Sequence, residues 1–288
     1  MRRGDFETAW NISDTLLRTP PDQTELPRWF QRVWDGSSIK GKRVLGRCYH
    51  GLGDTIHFIR YAPLLKEIAA EVIVWTQPSL IPLLRNVPGI DRLLPLSDDG
   101  PDVEYDVDLE LNELPHVFRT TLASVPADVP YIFVEPLLLP QNEHLRVGLI
   151  WQSGDWDNRR SIPFSEVQRL AHVPGIEWHI LQRDAARAGW DGAFGSISGG
   201  DNPLDDARIM RALDLVISVD TMTAHLAGAL GVPTWTLLPF DSDWRWLLDR
   251  HDSPWYPTMR LFRQREEGNW NEVIDNVAAH LSTLPPRI

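Results

Sequence analysis

A glycine-rich turn combines residues that could bind a ligand and transfer a proton. Its sequence is Gly51-Leu52-Gly53-Asp54-Thr55, and it lies between a candidate strand and a candidate helix. Backbone at Gly51 and Gly53 could approach a ligand closely, and the Asp54 carboxylate could act as a general base. Two simpler roles stay open. The glycines could serve only to adopt positive φ, and an aspartate in the first helical turn often caps backbone N–H groups.

A second turn follows a candidate buried strand that ends at Asp220. The backbone N–H groups at Thr221, Met222 and Thr223, with the two threonine hydroxyls, could bind a diphosphate at the start of a helix. His225 lies one turn further on and could donate to the same phosphate. The alternatives are that Asp220 is an N-cap and that His225 is a core histidine bonded to nearby backbone. The coincidence of these residues at one strand end favours the anion site.

A third polar loop, residues 151–161, follows the first strand of the second half. Ser153 is suited to close approach of a ligand. Either Arg159 or Arg160 could neutralise phosphate charge, although a pair of arginines in a polar loop is often merely solvated. Gln182 ends another candidate strand and could hydrogen-bond a ribose hydroxyl.

Other ligand-binding motifs are weak. The dinucleotide fingerprint would need a glycine at Ile56, and no Walker A sequence occurs. Asp106 and Asp108, and then Asp241 and Asp243, resemble aspartate pairs that hold divalent ions. The first pair lies in an apparent strand, and the second precedes a helix, whose first turn it is expected to cap. No Cys/His cluster is found, so we expect neither a metal nor a cofactor, and an NAD-dependent oxidoreductase is disfavoured.

The composition excludes several classes of partner. The 288 residues carry a formal net charge of −12, which disfavours nucleic acid and anionic membranes as main partners. Cys48 is the single cysteine and suits a reducing compartment. Residues 221–240 lack charged side chains but contain Gly228, Gly231, Pro233 and Pro239. We therefore expect a cytoplasmic protein with no transmembrane segment and at most peripheral membrane contact.

Short apolar strands alternate with helices along most of the chain, which predicts an α/β fold with mostly parallel sheets. Strands are predicted at residues 44–48, 71–75, 93–94, 107–109, 131–134, 145–151, 176–181, 214–219 and 234–238. Helices are predicted from residue 55, with a kink at Pro63, and at residues 79–85, 164–171, 204–213, 222–230 and 270–281. Ile56, Ile59, Leu64, Leu65 and Ile68 should face inward in the first of these.

The same pattern predicts four parts of the chain. Residues 1–40 form a helix over Phe6 to Leu17, stopped by Pro20-Pro21, and an arm containing Trp29. Residues 41–140 form a first domain, residues 141–268 a second, and residues 269–288 a terminal helix that packs back on the first domain. The stretch 135–144 is the best linker. Ligands of open α/β sheets bind at the carboxyl ends of the strands, so we expect both domains to face one cleft.

Three segments together resemble glycosyltransferase family 9, the heptosyltransferase-like enzymes, and especially relatives fused behind tetratricopeptide repeats. They are residues 51–61, 219–231 and 243–264, and the sequences Trp34-Asp35-Gly36 and Arg160-Ser161-Ile162-Pro163 also fit. The resemblance implies the GT-B fold, with two Rossmann-like domains facing a central cleft. The acceptor would bind the first domain and the nucleotide sugar the second.

The resemblance also implies roles for individual residues. Asp54 would deprotonate an acceptor hydroxyl, whose oxygen attacks the anomeric carbon with inversion. The helix start at residues 221–223 and a cation, here Arg160, would stabilise the leaving diphosphate without a metal. His225 matches the family's histidine in that helix. The heptosyltransferases proper carry a lysine in the second-half loop, where this chain has arginines.

These observations predict an inverting, metal-independent glycosyltransferase. It would move a sugar from a nucleoside-diphosphate sugar to a hydroxyl of a glycan, a lipid-linked saccharide or a protein. The alternative is a non-catalytic module that binds a nucleotide sugar or a glycan. Donor hydrolysis or transfer by the isolated protein would distinguish the two.

Overall fold

The computed structural model describes residues 1–19, 22–23, 25–27, 31–200 and 202–287. The predicted helix stop at Pro20-Pro21 and the arm residue Trp29 lie outside the described residues. The chain divides into two compact units, Met1–Phe133 and Val134–Ile288. Each unit contains a parallel sheet with helices, which confirms the predicted α/β class.

The first unit is built on a four-stranded parallel sheet. Its strands are β1 (Arg43–Arg47), β2 (Glu71–Thr76), β3 (Arg92–Pro95) and β4 (Val107–Glu110), in the order β3-β2-β1-β4. From β1 the chain goes to β2 and β3 on one side and later to β4 on the other. The loops that leave β1 and β4 therefore diverge at a topological switch point, where open α/β sheets bind their ligands.

Among the described residues, five helices accompany this sheet, and the second and third replace the single kinked helix that the sequence predicts. They are α1 (Phe6–Arg18), α2 (Leu52–Phe58), α3 (Ala62–Ile68), α4 (Ile81–Leu84) and α5 (Leu114–Val117). A 3₁₀ turn at Ile59–Tyr61 separates α2 from α3. Pro63 lies in the first turn of α3, where its missing N–H costs no hydrogen bond. It therefore lies at the start of α3, and the single helix that the sequence predicts is interrupted just before Pro63, at the position of the predicted kink.

Three of the five apolar residues predicted to face inward in this region are buried, namely Ile56, Ile59 and Leu65. Leu64 is partly exposed, and Ile68, the last residue of α3, is 39% exposed. The predicted strand at residues 131–134 is absent, and those residues form no regular element. Tyr131 is nevertheless buried, since its hydroxyl donates to the Ile56 carbonyl at 3.0 Å.

The predicted N-terminal helix is present as α1. Its N-cap Asp5 accepts a hydrogen bond from the Thr8 amide at 3.0 Å. Phe6 and Trp10 are buried, and the Trp10 indole donates to the Thr120 carbonyl at 2.6 Å. Ile12 is 60% exposed, so the buried face of α1 is narrower than its apolar spacing suggests.

The second unit contains a six-stranded parallel sheet. Its strands are β5 (Leu145–Ile150), β6 (Ile176–Ile180), β7 (Ser196–Ile197), β8 (Leu215–Val219), β9 (Thr234–Leu238) and β10 (Met259–Arg263), in the order β10-β9-β8-β5-β6-β7. The short β7 and the edge strand β10 were not predicted. The switch point of this sheet lies between β5 and β8.

The described part of the second unit contains four helices: α6 (Phe164–Val167), α7 (Pro203–Met210), α8 (Met222–Ala229) and α9 (Trp270–Leu281). Helix α9 contacts α6 and β10 and buries an apolar face that includes Val273, Ile274 and Val277. Its predicted packing on the first unit stays a prediction. Of the helices within the described ranges, none is long and apolar enough to cross a membrane.

Candidate functional site

The glycine turn after β1 is held by its own aspartate. Gly51 is the N-cap of α2, and Asp54 Oδ2 accepts a hydrogen bond from the Gly51 amide at 3.1 Å. Gly51 has a φ of −63° and Gly53 lies within α2, and neither has positive φ. The alternative that these glycines serve positive φ is therefore wrong. A Cβ on Gly51 would lie 3.2 Å from Asp54 Oδ2, so the glycine leaves room for the half-buried carboxylate.

Two further side chains, Gln77 and Asn112, connect the loops at this switch point. Gln77, just after β2, donates to the His50 carbonyl at 2.7 Å and accepts from the Thr55 hydroxyl at 3.0 Å. Asn112, just after β4, lies 2.7 Å from His50 Nε2. The turn that carries Asp54 is thus fixed to the ends of both neighbouring strands. The sequence analysis missed Gln77 and Asn112, although both follow the ends of predicted strands.

Glu110 ends β4 and contributes a buried carboxyl group beside the same turn. Its side chain is 1% exposed, and its Oε1 has no hydrogen-bond partner among the described residues. Burial raises the pKa of Glu110 to about 8, and the nearby Glu113 carboxylate adds to the rise, while a hydrogen bond from the Tyr49 amide lowers the pKa. Glu110 is therefore largely protonated at neutral pH.

A polar pocket of about 290 Å³ opens at this edge of the first sheet. Arg47 lies in it and forms an ion pair with Asp108. Tyr49 packs edge-on against Trp75, with ring centroids 5.5 Å apart. The pocket is lined by Gln31, Val33, Arg47, Tyr49, Trp75, Asp98, Asp99, Gly100 and Pro101. Its rings and charged groups suit a polyhydroxylated ligand better than an apolar one.

In the second unit, α8 begins at the switch point between β5 and β8. Thr221, not Asp220, is the N-cap, with φ −152° and ψ 177°. The alternative that Asp220 caps the helix is therefore wrong. Within the described part of the chain, no side chain caps the first turn of α8. The N–H groups of Met222 and Thr223 precede the first intrahelical bonds, as an anion site requires.

Asp220 and Arg160 lie beside this helix start. The Arg160 guanidinium donates to the Asp220 carbonyl at 2.9 Å. Burial raises the pKa of Asp220 to about 6, and the Asp243 carboxylate raises it further, while the nearby Trp246 indole and the Arg160 and Arg245 guanidinium groups lower it. Asp220 is 5% exposed. A cation and a titratable carboxyl group thus flank the N-terminus of α8.

The two adjacent arginines differ in their surroundings. Arg159 forms a bidentate pair with the Asp157 carboxylate, with N–O distances of 2.9 and 2.8 Å. Arg160 instead contacts the backbone at the end of β8. The geometry therefore favours Arg160 as the cation for a diphosphate at α8.

Ser153 and Gln182 both make hydrogen bonds within the protein. The Ser153 amide donates to Ser161 Oγ at 3.1 Å, and its hydroxyl donates to the Asp157 carbonyl at 3.2 Å. Gln182 Oε1 accepts from the amides of Trp151 and Gln152, at 3.1 and 2.9 Å. Both side chains shape the loop after β5, and a direct ligand contact by either stays a prediction.

His225 is buried behind the start of α8. Its Nδ1 lies 3.0 Å from the Tyr256 hydroxyl, and its ring stacks on Trp246 with a centroid distance of 5.2 Å. His225 is therefore a buried histidine with the Tyr256 hydroxyl as one partner, and its contact with a phosphate stays a prediction. Tyr256 fits because Gly228 has no side chain, since a Cβ there would lie 2.4 Å from the Tyr256 ring.

Comparisons with known proteins agree with this architecture. No protein-family model matches the chain. Protein FlbA of Caulobacter vibrioides is 26% identical over an alignment of 322 positions, gaps included, which covers 96% of this chain and 52% of FlbA. The chain therefore spans about half the length of this curated relative.

Solved structures give a closer view of the fold. A family 9 glycosyl transferase from Veillonella parvula superimposes with a TM-score of 0.63 at 13% identity, covering 85% of this chain and 98% of the other. The ADP-heptose lipopolysaccharide heptosyltransferase II of Escherichia coli gives 0.56 at 13% identity, covering 83% and 98%. The enterotoxigenic E. coli glycosyltransferase TibC gives 0.57 at 14% identity, covering 82% and 67%. The chain therefore has the GT-B fold of family 9 and heptosyltransferase structures, as its motifs predicted.

Proposed function

We propose that the chain is a glycosyltransferase that moves a sugar from a nucleoside-diphosphate sugar to an acceptor hydroxyl, with inversion and without a metal ion. The observation that carries the proposal is the pair of switch-point sites in a chain with this fold. One presents Asp54 on a fixed turn, and the other presents an uncapped helix start beside Arg160. The cytoplasm, with at most peripheral membrane contact, is the location we propose.

The second unit supplies the donor site in this proposal. The diphosphate accepts hydrogen bonds from the Met222 and Thr223 amides, with the Thr221 hydroxyl and Arg160 beside them. The positive end of the α8 dipole and the guanidinium favour the negative charge that grows on the leaving diphosphate. One TibC structure was solved in complex with ADP-D-β-D-heptose, which supports a nucleotide sugar as the ligand class.

The first unit supplies the base and the acceptor site. Asp54 takes the proton of the acceptor hydroxyl as its oxygen attacks the anomeric carbon. The bond to the diphosphate breaks on the opposite face, so a single displacement inverts the configuration. The hydrogen bond from the Gly51 amide to Asp54 Oδ2 orients the carboxylate. The polar pocket beside Arg47 provides a place for one residue of a saccharide acceptor, or for part of a protein acceptor.

The experiment compares Asp54→Asn with Asp102→Asn, a matched change at an exposed loop position of the same unit. A thermal-shift panel of UDP, ADP, GDP and dTDP first identifies the nucleotide by its stabilisation of the folded state. We expect Asp54→Asn to keep nucleotide binding and to lose transfer by roughly 10²- to 10⁴-fold, the usual contribution of a positioned base. Full turnover in Asp54→Asn would remove the base from the mechanism, and loss of activity in EDTA would contradict metal independence.

The capping bond of Asp54 favours a second candidate, a non-catalytic module that binds a nucleotide sugar or glycan. In that case Asp54 serves only to hold the turn after β1. Such a module would bind the nucleotide in the same panel. It would show neither transfer nor donor hydrolysis with any acceptor, in the wild type as in the variant.

A further inference from the structure

A second pocket, of about 320 Å³, opens within the second unit at the carboxyl ends of β9 and β10. None of the residues assigned above to the diphosphate lines it. The lining consists of the turn before α6, the loop after β9 and the segment between β10 and α9. Its residues are Asn158, Arg159, Ser161, Pro163, Pro239, Phe240, Asp241, Gln264, Glu267, Gly268 and Trp270.

Gln264 gives this pocket a buried and oriented hydrogen-bond donor. The side chain is 3% exposed. Its Oε1 accepts from the Phe240 amide at 3.1 Å and from the Gly268 amide at 3.3 Å. These two bonds fix which end of the amide is the oxygen. Nε2 then has no hydrogen-bond partner among the described residues. An unpaired buried donor is costly, so a ligand that accepts from Nε2 would be favoured.

The rest of the lining has the chemistry of a saccharide site. The Asp241 and Glu267 carboxylates can accept from sugar hydroxyls, and the Arg159 guanidinium, 3.9 Å from Asp241, can donate. Phe240 is 51% exposed, and its ring offers an apolar surface for the C–H face of a sugar. A phosphate would meet two carboxylates here, which excludes it by charge repulsion.

The position of the pocket relates it to the diphosphate site. In the turn that begins at Asn158, Arg160 points to the Asp220 carbonyl while its neighbours Arg159 and Ser161 line the pocket. The pocket therefore adjoins the start of α8. In the strand order, β9 and β10 lie on the opposite side of the β8–β5 pair from β6, which Gln182 follows.

A nucleotide sugar carries its diphosphate in the middle, so its two ends extend to opposite sides of the switch point. With the nucleoside on the β6 side, the sugar extends over β9 and β10. We propose that this pocket binds the sugar of the donor, with the Gln264 side-chain amide donating to one of its oxygens. The inference rests on the proposed function, since it assigns a place to the donor's sugar.

The test separates the sugar from the nucleotide. Affinities are measured by calorimetry for UDP against UDP-glucose, ADP against ADP-glucose, GDP against GDP-mannose and dTDP against dTDP-glucose. The variant is Gln264→Glu, which keeps an oxygen for the Phe240 and Gly268 amides and replaces the donor by an acceptor. Gln168→Glu adds the same charge at an exposed position of the same unit and serves as the control. Circular dichroism and thermal unfolding check that both variants fold.

We expect Gln264→Glu to weaken the affinity for the nucleotide sugar by roughly tenfold, because one hydrogen bond is lost and a repulsion is added. The affinity for the free nucleoside diphosphate should stay within twofold of the wild-type value. Gln168→Glu should change neither. If the affinities for the nucleoside diphosphate and the nucleotide sugar weakened equally, the pocket would belong to the nucleoside and the inference would be overturned. An unchanged affinity for both ligands would also overturn it. Failure of the wild type to bind any of the eight compounds would instead refute the proposed function.

Discussion

The buried Glu110 side chain makes the stability of the first unit depend on pH. Burial raises the pKa of Glu110 from 4.5 to about 8. The folded state therefore holds a proton that the unfolded state releases between those pH values. The stabilising effect of that proton is complete below pH 4.5 and is lost as the pH rises to 8.

We expect Glu110→Gln to remove this dependence. Glutamine has nearly the same shape, keeps an oxygen for the Tyr49 amide and stays neutral at every pH. A proton held about three thousandfold more tightly in the folded state corresponds to about 5 kcal/mol. The variant should thus be more stable than the wild type by about 1 kcal/mol at pH 5 and by up to about 5 kcal/mol at pH 9.

The assay is scanning calorimetry of both proteins from pH 5 to pH 9. For a unit of this size the difference at pH 9 amounts to roughly 15–20 °C in melting temperature. Glu67→Gln, an exposed change on α3, controls for the loss of one charge and should follow the wild type. Parallel pH profiles of Glu110→Gln and the wild type would refute the reasoning, since Glu110 would then be ionised in the folded protein.

Three other changes test the second unit. Asp220→Asn should tighten nucleotide-sugar binding by roughly threefold to tenfold at pH 7.5, because the carboxylate repels the diphosphate above its pKa of about 6. At pH 5 the affinity of the wild type should approach that of the variant. A ratio of the two affinities that does not change with pH would contradict this. Arg160→Met should weaken diphosphate binding by roughly 10- to 100-fold in a titration, whereas Arg159→Met should leave diphosphate binding within about threefold of the wild type. A larger loss of affinity in Arg159→Met than in Arg160→Met would assign the diphosphate to Arg159 instead. Gly228→Ala should lower the free energy of unfolding by about 1–3 kcal/mol, because its Cβ would lie 2.4 Å from the Tyr256 ring, and urea unfolding would measure the loss.

Regular elements that were predicted well have strong local signals. The buried strand before Asp220 and the small-residue helix after it appear as β8 and α8, because an uninterrupted apolar run and a clear turn mark both. The predicted strand at residues 131–134 fails for the opposite reason. Tyr131, which donates to the Ile56 carbonyl, and Ile132 are buried, while Phe133 is 48% exposed. Burial of part of an apolar run does not specify a strand ladder.

Among the site residues too, some have a local sequence signal and others depend on contacts between distant segments. The position of Asp54 could be predicted because a strand end and a helix start identify it, whereas the residue types alone left Arg159 and Arg160 as alternatives for the cation. The surroundings of Glu110 could not be found. Its burial beside Glu113 depends on a segment far away in the sequence, where the Val33 and Trp34 amides donate to Glu113 at 3.2 and 3.0 Å. No local pattern contains such a contact.

The sequence has one cysteine, Cys48, and it directly follows β1 at the turn that carries Asp54. It is 2% exposed, and burial raises the pKa of its thiol to about 12. A thiol in this state reacts with alkylating reagents only when the surrounding structure opens. The rate of alkylation of the native chain therefore reports how often the structure around this turn opens, with no cysteine introduced by mutation. A compound bound against the turn would slow that rate in proportion to its occupancy.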